Sequence, residues 1–139
     1  MEEIIREIST VKMDVVILTE TKKKVAGSEL LGNYIHLFSG VKKYERAKRE
    51  VSVLLNKNRK GSIWNWESID ERILKLDMNI WGYKLLIIGI YAPNEDNKTT
   101  VKDEFFANLN EEIIKSGSGR QLILMGDMNG RTGRKTGVQ

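Results

Sequence analysis

Apolar residues fall along this chain in short blocks separated by polar, glycine-containing stretches, a pattern that predicts many strands and few helices. Val15-Val16-Ile17-Leu18 reads as a short buried strand, Tyr34 to Phe38 as a second and Glu50 to Leu55 as a third. Residues 72–80 alternate in part, and residues 84–91 are more continuously apolar. With Trp81-Gly82-Tyr83 between them, they predict a long antiparallel hairpin. Pro93, the only proline, cannot donate to a sheet ladder, so the second arm should stop there. Leu122-Ile123-Leu124-Met125 predicts a last strand, buried on both faces.

Two stretches carry helical spacing. Ile4, Ile5, Ile8 and Val11 share one face over residues 2–11, with acids in the first turns where they suit the helix dipole. Residues 100–116 are clearer. Val101, Phe105, Leu109 and Ile113 recur every fourth position, Thr100 is the candidate cap, and Ser116-Gly117-Ser118-Gly119 ends the run. Asn56 to Ser62 reads as a polar loop, and residues 131–139 as a flexible basic tail after a domain over residues 1–130. Because Met1 falls directly on a helix where a mixed fold more often begins with a strand, the domain is expected to have lost its beginning.

A chain of 139 residues, 40% hydrophobic and 30% charged, has the balance of an ordinary globular α/β domain. The longest apolar run, Leu85 to Ala92, is too short to span a bilayer, so no membrane partner is expected. The first residues lack the pattern of a secretion signal. No cysteine is present, which removes disulfides and thiolate zinc sites. The net charge is +4, but it is unevenly spread. Residues 42–60 set eight cations, Lys48 and Arg49 among them, against Glu45 and Glu50. A polyanion such as nucleic acid fits this concentration, although a solvated basic loop would look the same.

Candidate chemistry gathers at strand ends. Glu20 follows the first strand, where α/β proteins tend to place ligand contacts, or where a surface acid pairs with Lys22 or Lys23. Tyr91-Ala92-Pro93-Asn94 ends the hairpin. Gly126-Asp127-Met128-Asn129 ends the last strand. Asp127 and Asn129 lie two residues apart, so an extended chain points both to one side. A carboxylate and an amide held that way can orient a water and a phosphate oxygen, although an Asp-Asn turn is also a common way to leave a strand. His36, the only histidine, lies within a strand and reads as structural.

In this order, Asp14-Val-Val-Ile-Leu-Thr-Glu-Thr21, Ile90-Tyr-Ala-Pro-Asn94 and Leu124-Met-Gly-Asp-Met-Asn129 resemble the endonuclease/exonuclease/phosphatase superfamily, the DNase I-like metal-dependent phosphodiesterases and phosphatases. Ser39-Gly-Val41 followed by Arg46-Ala-Lys-Arg-Glu-Val51 is most similar to the endonuclease domain of LINE-type (non-LTR) retrotransposons and to craniofacial development protein 2-like proteins. The resemblance implies a partial four-layered α/β sandwich, mostly antiparallel sheet with flanking helices. It implies that Glu20 binds a divalent ion, Mg2+ or Mn2+, and that Asp127 orients or deprotonates the attacking water. Asn129 would hold the phosphate or that acid, and Tyr91 would contact the phosphate or the leaving oxygen. Asn94, Lys48 and Arg49 would lie along the nucleic acid, which is expected to be DNA, with a nuclear location if the nuclease reading holds.

The sequence also departs from the family. The strand bearing an asparagine near the metal and the later aspartate and Asp-His segments have no counterpart here. The expectation is therefore a fragment holding roughly the first sheet, inactive or weak by itself, with an apolar sheet face left open for pairing. A non-catalytic nucleic-acid-binding or protein-interaction remnant is the alternative. A phosphatase for inositol phosphates or lipids is a third reading, which the retroelement-like segment disfavours.

Overall fold

A computed structural model describes residue 5 and residues 14–19, 26–39, 50–117 and 119–129. Eight strands and one α-helix lie among them: β1 (Val15–Thr19), β2 (Gly27–Leu31), β3 (Tyr34–Phe38), β4 (Val51–Asn56), β5 (Ile63–Asp70), β6 (Ile73–Ile80), β7 (Tyr83–Tyr91), α1 (Thr99–Lys115) and β8 (Gln121–Asp127). They form two four-stranded sheets, ordered β1-β4-β3-β2 and β5-β6-β7-β8. Every pairing is antiparallel except β7 with β8, which α1 joins as a parallel crossover.

The sheets pack face to face. Leu37, Val51, Val53 and Leu55 of the first meet Leu74, Leu76, Met78, Ile87 and Tyr91 of the second in one apolar core. This corrects the expectation that only the first sheet is held and that one apolar face stays open. The predicted hairpin recruits β5 on one side and β8 on the other, and the two inner faces cover each other. Alternation along β7 sends Leu86, Ile88 and Ile90 to the opposite side, where Phe105 and Leu109 of α1 cover them. On the outer side of the first sheet, Ile5, itself helical, packs with Tyr34, Leu54, Val16 and Leu18. The layers are thus those of a DNase I-like α/β sandwich.

At Gly89 the sheets approach closely. A Cβ there would stand 3.0 Å from Ile17 Cδ1 and 3.5 Å from Val51 Cγ2.

Several boundaries move. α1 begins at Thr99, one residue before the predicted start, and its N-cap is Lys98, with no side-chain cap bond from Thr100. The polar loop is a 3-10 helix over Lys57–Ser62, capped by the Asn56 side chain on Asn58 N. β8 is not buried on both faces. It is an edge strand, and Leu122, Ile123 and Leu124 remain 36–40% exposed. An apolar run reports affinity for a core but not whether a strand lies on both sides. The predicted helix over 2–11, apart from Ile5, and the basic tail lie outside the described residues.

Candidate functional site

Edge strands β1 and β8 border the same side of the sandwich, and a cleft of about 390 Å³ runs between them. Val15, Val16, Ile17 and Thr19 line it from β1, and Met125, Gly126 and Asp127 from β8. Both strands point their C-terminal ends to one end of the sandwich. The cleft therefore closes on a hydroxyl and a carboxylate from two separate sheets. Glu20 follows Thr19 directly but lies outside the described residues, as do Lys48 and Arg49.

Asp127 takes its place from the parallel ladder, where it is the register partner of Tyr91. Ala92 N donates to Asp127 O at 2.8 Å, which extends that ladder past the end of β7. The chain then turns. Asn129 N donates to Asp127 Oδ1 at 2.8 Å, so the carboxylate is held by the turn that follows it. Asn129 has φ 51°, a left-handed value that Asn tolerates better than most residues, and its Nδ2 donates to Ala92 O at 2.6 Å. Its amide thus ties the loop to the end of β7.

Gly126 is required for this path. Its φ is +130°, and a Cβ there would stand 2.0 Å from Ile90 O. Only glycine lets β8 lie this close to β7 just before it delivers Asp127.

Tyr91 is almost buried, on the inner face of β7. Arg72, the residue before β6, stands beside it. Its Nη1 donates to Tyr91 O at 3.0 Å, and its guanidinium lies 5.8 Å from the centre of the Tyr91 ring. Sequence reasoning missed this cation. Its only signal was its place as the first residue of a predicted hairpin, directly after Asp70-Glu71. Asn94 organises the turn after Pro93: its N donates to Asn97 Oδ1 at 2.9 Å, and its Oδ1 accepts from Asp96 N at 3.0 Å.

The same end is braced between sheets. Val51 N donates to Glu71 O at 3.0 Å, and Ser39 Oγ lies 2.7 Å from Val51 O and 3.1 Å from Glu71 O. Nearby, burial raises the Asp70 carboxyl above its ordinary 3.8, partly offset by hydrogen bonds from the Arg72 and Ile73 backbone and the Asn108 side chain. His36 lies on the outer face of the first sheet, opposite the side that Leu37 and Val51 turn to the core. It is fully buried, with Nδ1 2.7 Å from Glu29 Oε2 and Nε2 2.8 Å from Ser52 Oγ.

No family model and no curated protein matches the chain. Solved structures do match it. TDP2 from D. rerio, complexed with a single strand DNA product, is 16% identical, with a TM-score of 0.64 over 93% of this chain and 53% of that one. The AP endonuclease LMAP from Leishmania major is 13% identical, with a TM-score of 0.68 over 88% of this chain and 47% of that one. TDP2 from C. elegans is 16% identical, with a TM-score of 0.58 over 94% of this chain and 42% of that one. The chain spans about half the length of the structures it matches. It shares their DNase I-like fold, the fold of the endonuclease/exonuclease/phosphatase superfamily.

Proposed function

We propose that this chain carries part of a divalent-metal-dependent phosphodiesterase site, of the DNA endonuclease kind found in LINE-type retrotransposons. One observation supports this above the others: Thr19, the neighbour of Glu20, and Asp127 line one cleft although they come from different sheets. The likeness to a DNA-bound TDP2 and to an AP endonuclease supports it further, and DNA is the proposed partner.

The polar groups at this end suit a hard cation. They are a hydroxyl and a carboxylate, with no thiol or imidazole, and oxygen donors favour Mg2+ or Mn2+. No cluster of three potential ligands forms among the described residues. Glu20 would therefore be the principal protein ligand, with waters completing the shell, as magnesium commonly allows. A bound ion would neutralise charge on the phosphoryl oxygens and acidify a water. Asp127, oriented by Asn129 N, accepts the proton of the attacking water. Tyr91 and the neighbouring Arg72 face the phosphate or the departing oxygen, Asn94 steadies the loop beside it, and Lys48 and Arg49 run along the DNA backbone.

Supercoiled-plasmid nicking with Mg2+ tests the reading, comparing wild type with Glu20→Ala and Asp127→Ala. Nicking that falls by about a hundredfold or more in both variants supports it. Equal background in all three supports the non-catalytic remnant instead. Water-proton relaxation with Mn2+ reports ion binding independently of turnover, and Glu20→Ala should weaken it.

A further inference from the structure

The opposite end of the sandwich carries a surface that the proposed reaction does not use. There the β6–β7 hairpin turns through Trp81 and Gly82, both at positive φ, 52° and 85°. Such a turn favours Asn-Gly, and a bulky residue at its first position is strained. Trp81 nevertheless occupies it with 88% of its surface exposed. Tyr83 at 71% and Trp64 at 60% exposure lie at the same end. Three of the four exposed large aromatics among the described residues thus gather here, the fourth being Phe106. Isolated exposed aromatics need no explanation, but a strained and clustered set does.

The surroundings are cationic. A cavity of about 500 Å³ lies between Gly61, Ser62, Trp64, Asn79 and Lys84, on the part of the outer sheet face that α1 leaves uncovered. The 3-10 helix that forms one wall also carries exposed Lys57 and Lys60. Arg120 lies 5.8 Å from the Trp64 ring while paired with Asp77, and Arg59 is paired with Asp14. Among the described residues, Asp77 and Asp14 at this end are thus matched by arginines, which leaves the positive charge of Lys57, Lys60 and Lys84 in excess.

We propose that this far end binds a single-stranded polynucleotide, stacking bases on Trp81 and Trp64 and holding phosphates with Lys57, Lys60 and Lys84. Exposed ring faces take unpaired bases of any sequence, and lysines at the rim follow the backbone. A duplex hides its base faces, so it gains only the phosphate contacts. Nothing in this mode reads the sugar, so DNA and RNA strands bind alike. The site is independent of the cleft chemistry and stands whether or not the chain cleaves DNA.

Tryptophan fluorescence titration of the full chain tests this, with oligo-dT, oligo-rU and a duplex of equal length as probes. Both single strands should quench the fluorescence and bind within a few-fold of each other, and the duplex should bind more weakly. Trp64→Ala and Trp81→Asn should each weaken oligo-dT binding about tenfold. Lys84→Ala should lower the slope of affinity against salt by about 0.7. Trp81→Asn creates the Asn-Gly pair this turn prefers, so its loss of binding cannot come from misfolding, and circular dichroism verifies that. Unchanged affinity in both tryptophan variants, preference for the duplex, or no binding of either single strand would each overturn the proposal.

Discussion

The two ends of this sandwich are built by different rules. At the cleft end, strands finish in turns whose polar groups are tied down: Asp127 to Asn129, Asn129 to Ala92, Arg72 to Tyr91, Ser39 to the joined sheets. At the far end, large aromatic rings stand in solvent, and the hairpin tip carries a residue its backbone does not favour. Fixed geometry suits chemistry on a small group, whereas exposed adaptable side chains suit contact with a long, variable one. The contrast assigns order to one end and display to the other, and it can be broken by substitution.

The largest effect belongs to Gly126→Ala. Its Cβ would overlap Ile90 O, and the backbone would be held at an unfavourable φ, so stability should fall by about 3 kcal/mol or more. Urea unfolding measures this, and a loss below about 1 kcal/mol would mean that the end is looser than described. Asn129→Ala comes next. It removes the amide bond to Ala92 and places alanine in a left-handed conformation, for a cost of about 1–2 kcal/mol in the same measurement. Trp81→Asn should act in the opposite direction and stabilise by about 1 kcal/mol, because the turn then matches its sequence. Destabilisation there would show that Trp81 packs against something and would erase the contrast.

The smallest effect is at Asp70. Burial raises its folded pKa above the ordinary 3.8, so the folded state holds the proton more tightly than the unfolded one. This contribution to stability is present below the unfolded value and is lost as pH rises through the folded value. Asp70→Asn keeps an acceptor for Arg72 N and has no charge to bury. Its melting temperature should therefore exceed that of wild type at neutral pH, with the gap narrowing as pH drops toward 3.8. A gap that widens on acidification would reverse the assignment.

Much of this architecture was legible from apolar blocks. β1, β3, β4, the β6–β7 hairpin and α1 follow their residues closely because each has several core-facing positions at the right period. β2 and β5 were not legible. β2 exposes Ser28 and Leu30 at the sheet edge and begins with a glycine. β5 breaks register between Ile63 and Asn65 and again between Ser68 and Asp70, which scrambles the alternation that marks a strand. Losing those two strands also hid the second sheet, since local pattern does not say which strand joins which layer. At the site, the strand ends themselves were readable, and the structure brings Thr19 and Asp127 to one cleft. The tie from Asn129 to Ala92 and the nearness of Arg72 to Tyr91 were not, because both join residues brought together only by the fold.

The parallel crossover has a consequence for how the molecule assembles. β8 joins β7 by a parallel crossover through α1, closing a loop in which bonded partners are 37 residues apart, and β1 joins β4 across the intervening β2 and β3, so both edge strands depend on non-local closures. Asp127 rides on the first of these closures and Thr19 on the second. The hydroxyl and carboxylate that line the cleft are therefore held together only where both long-range pairings are in place.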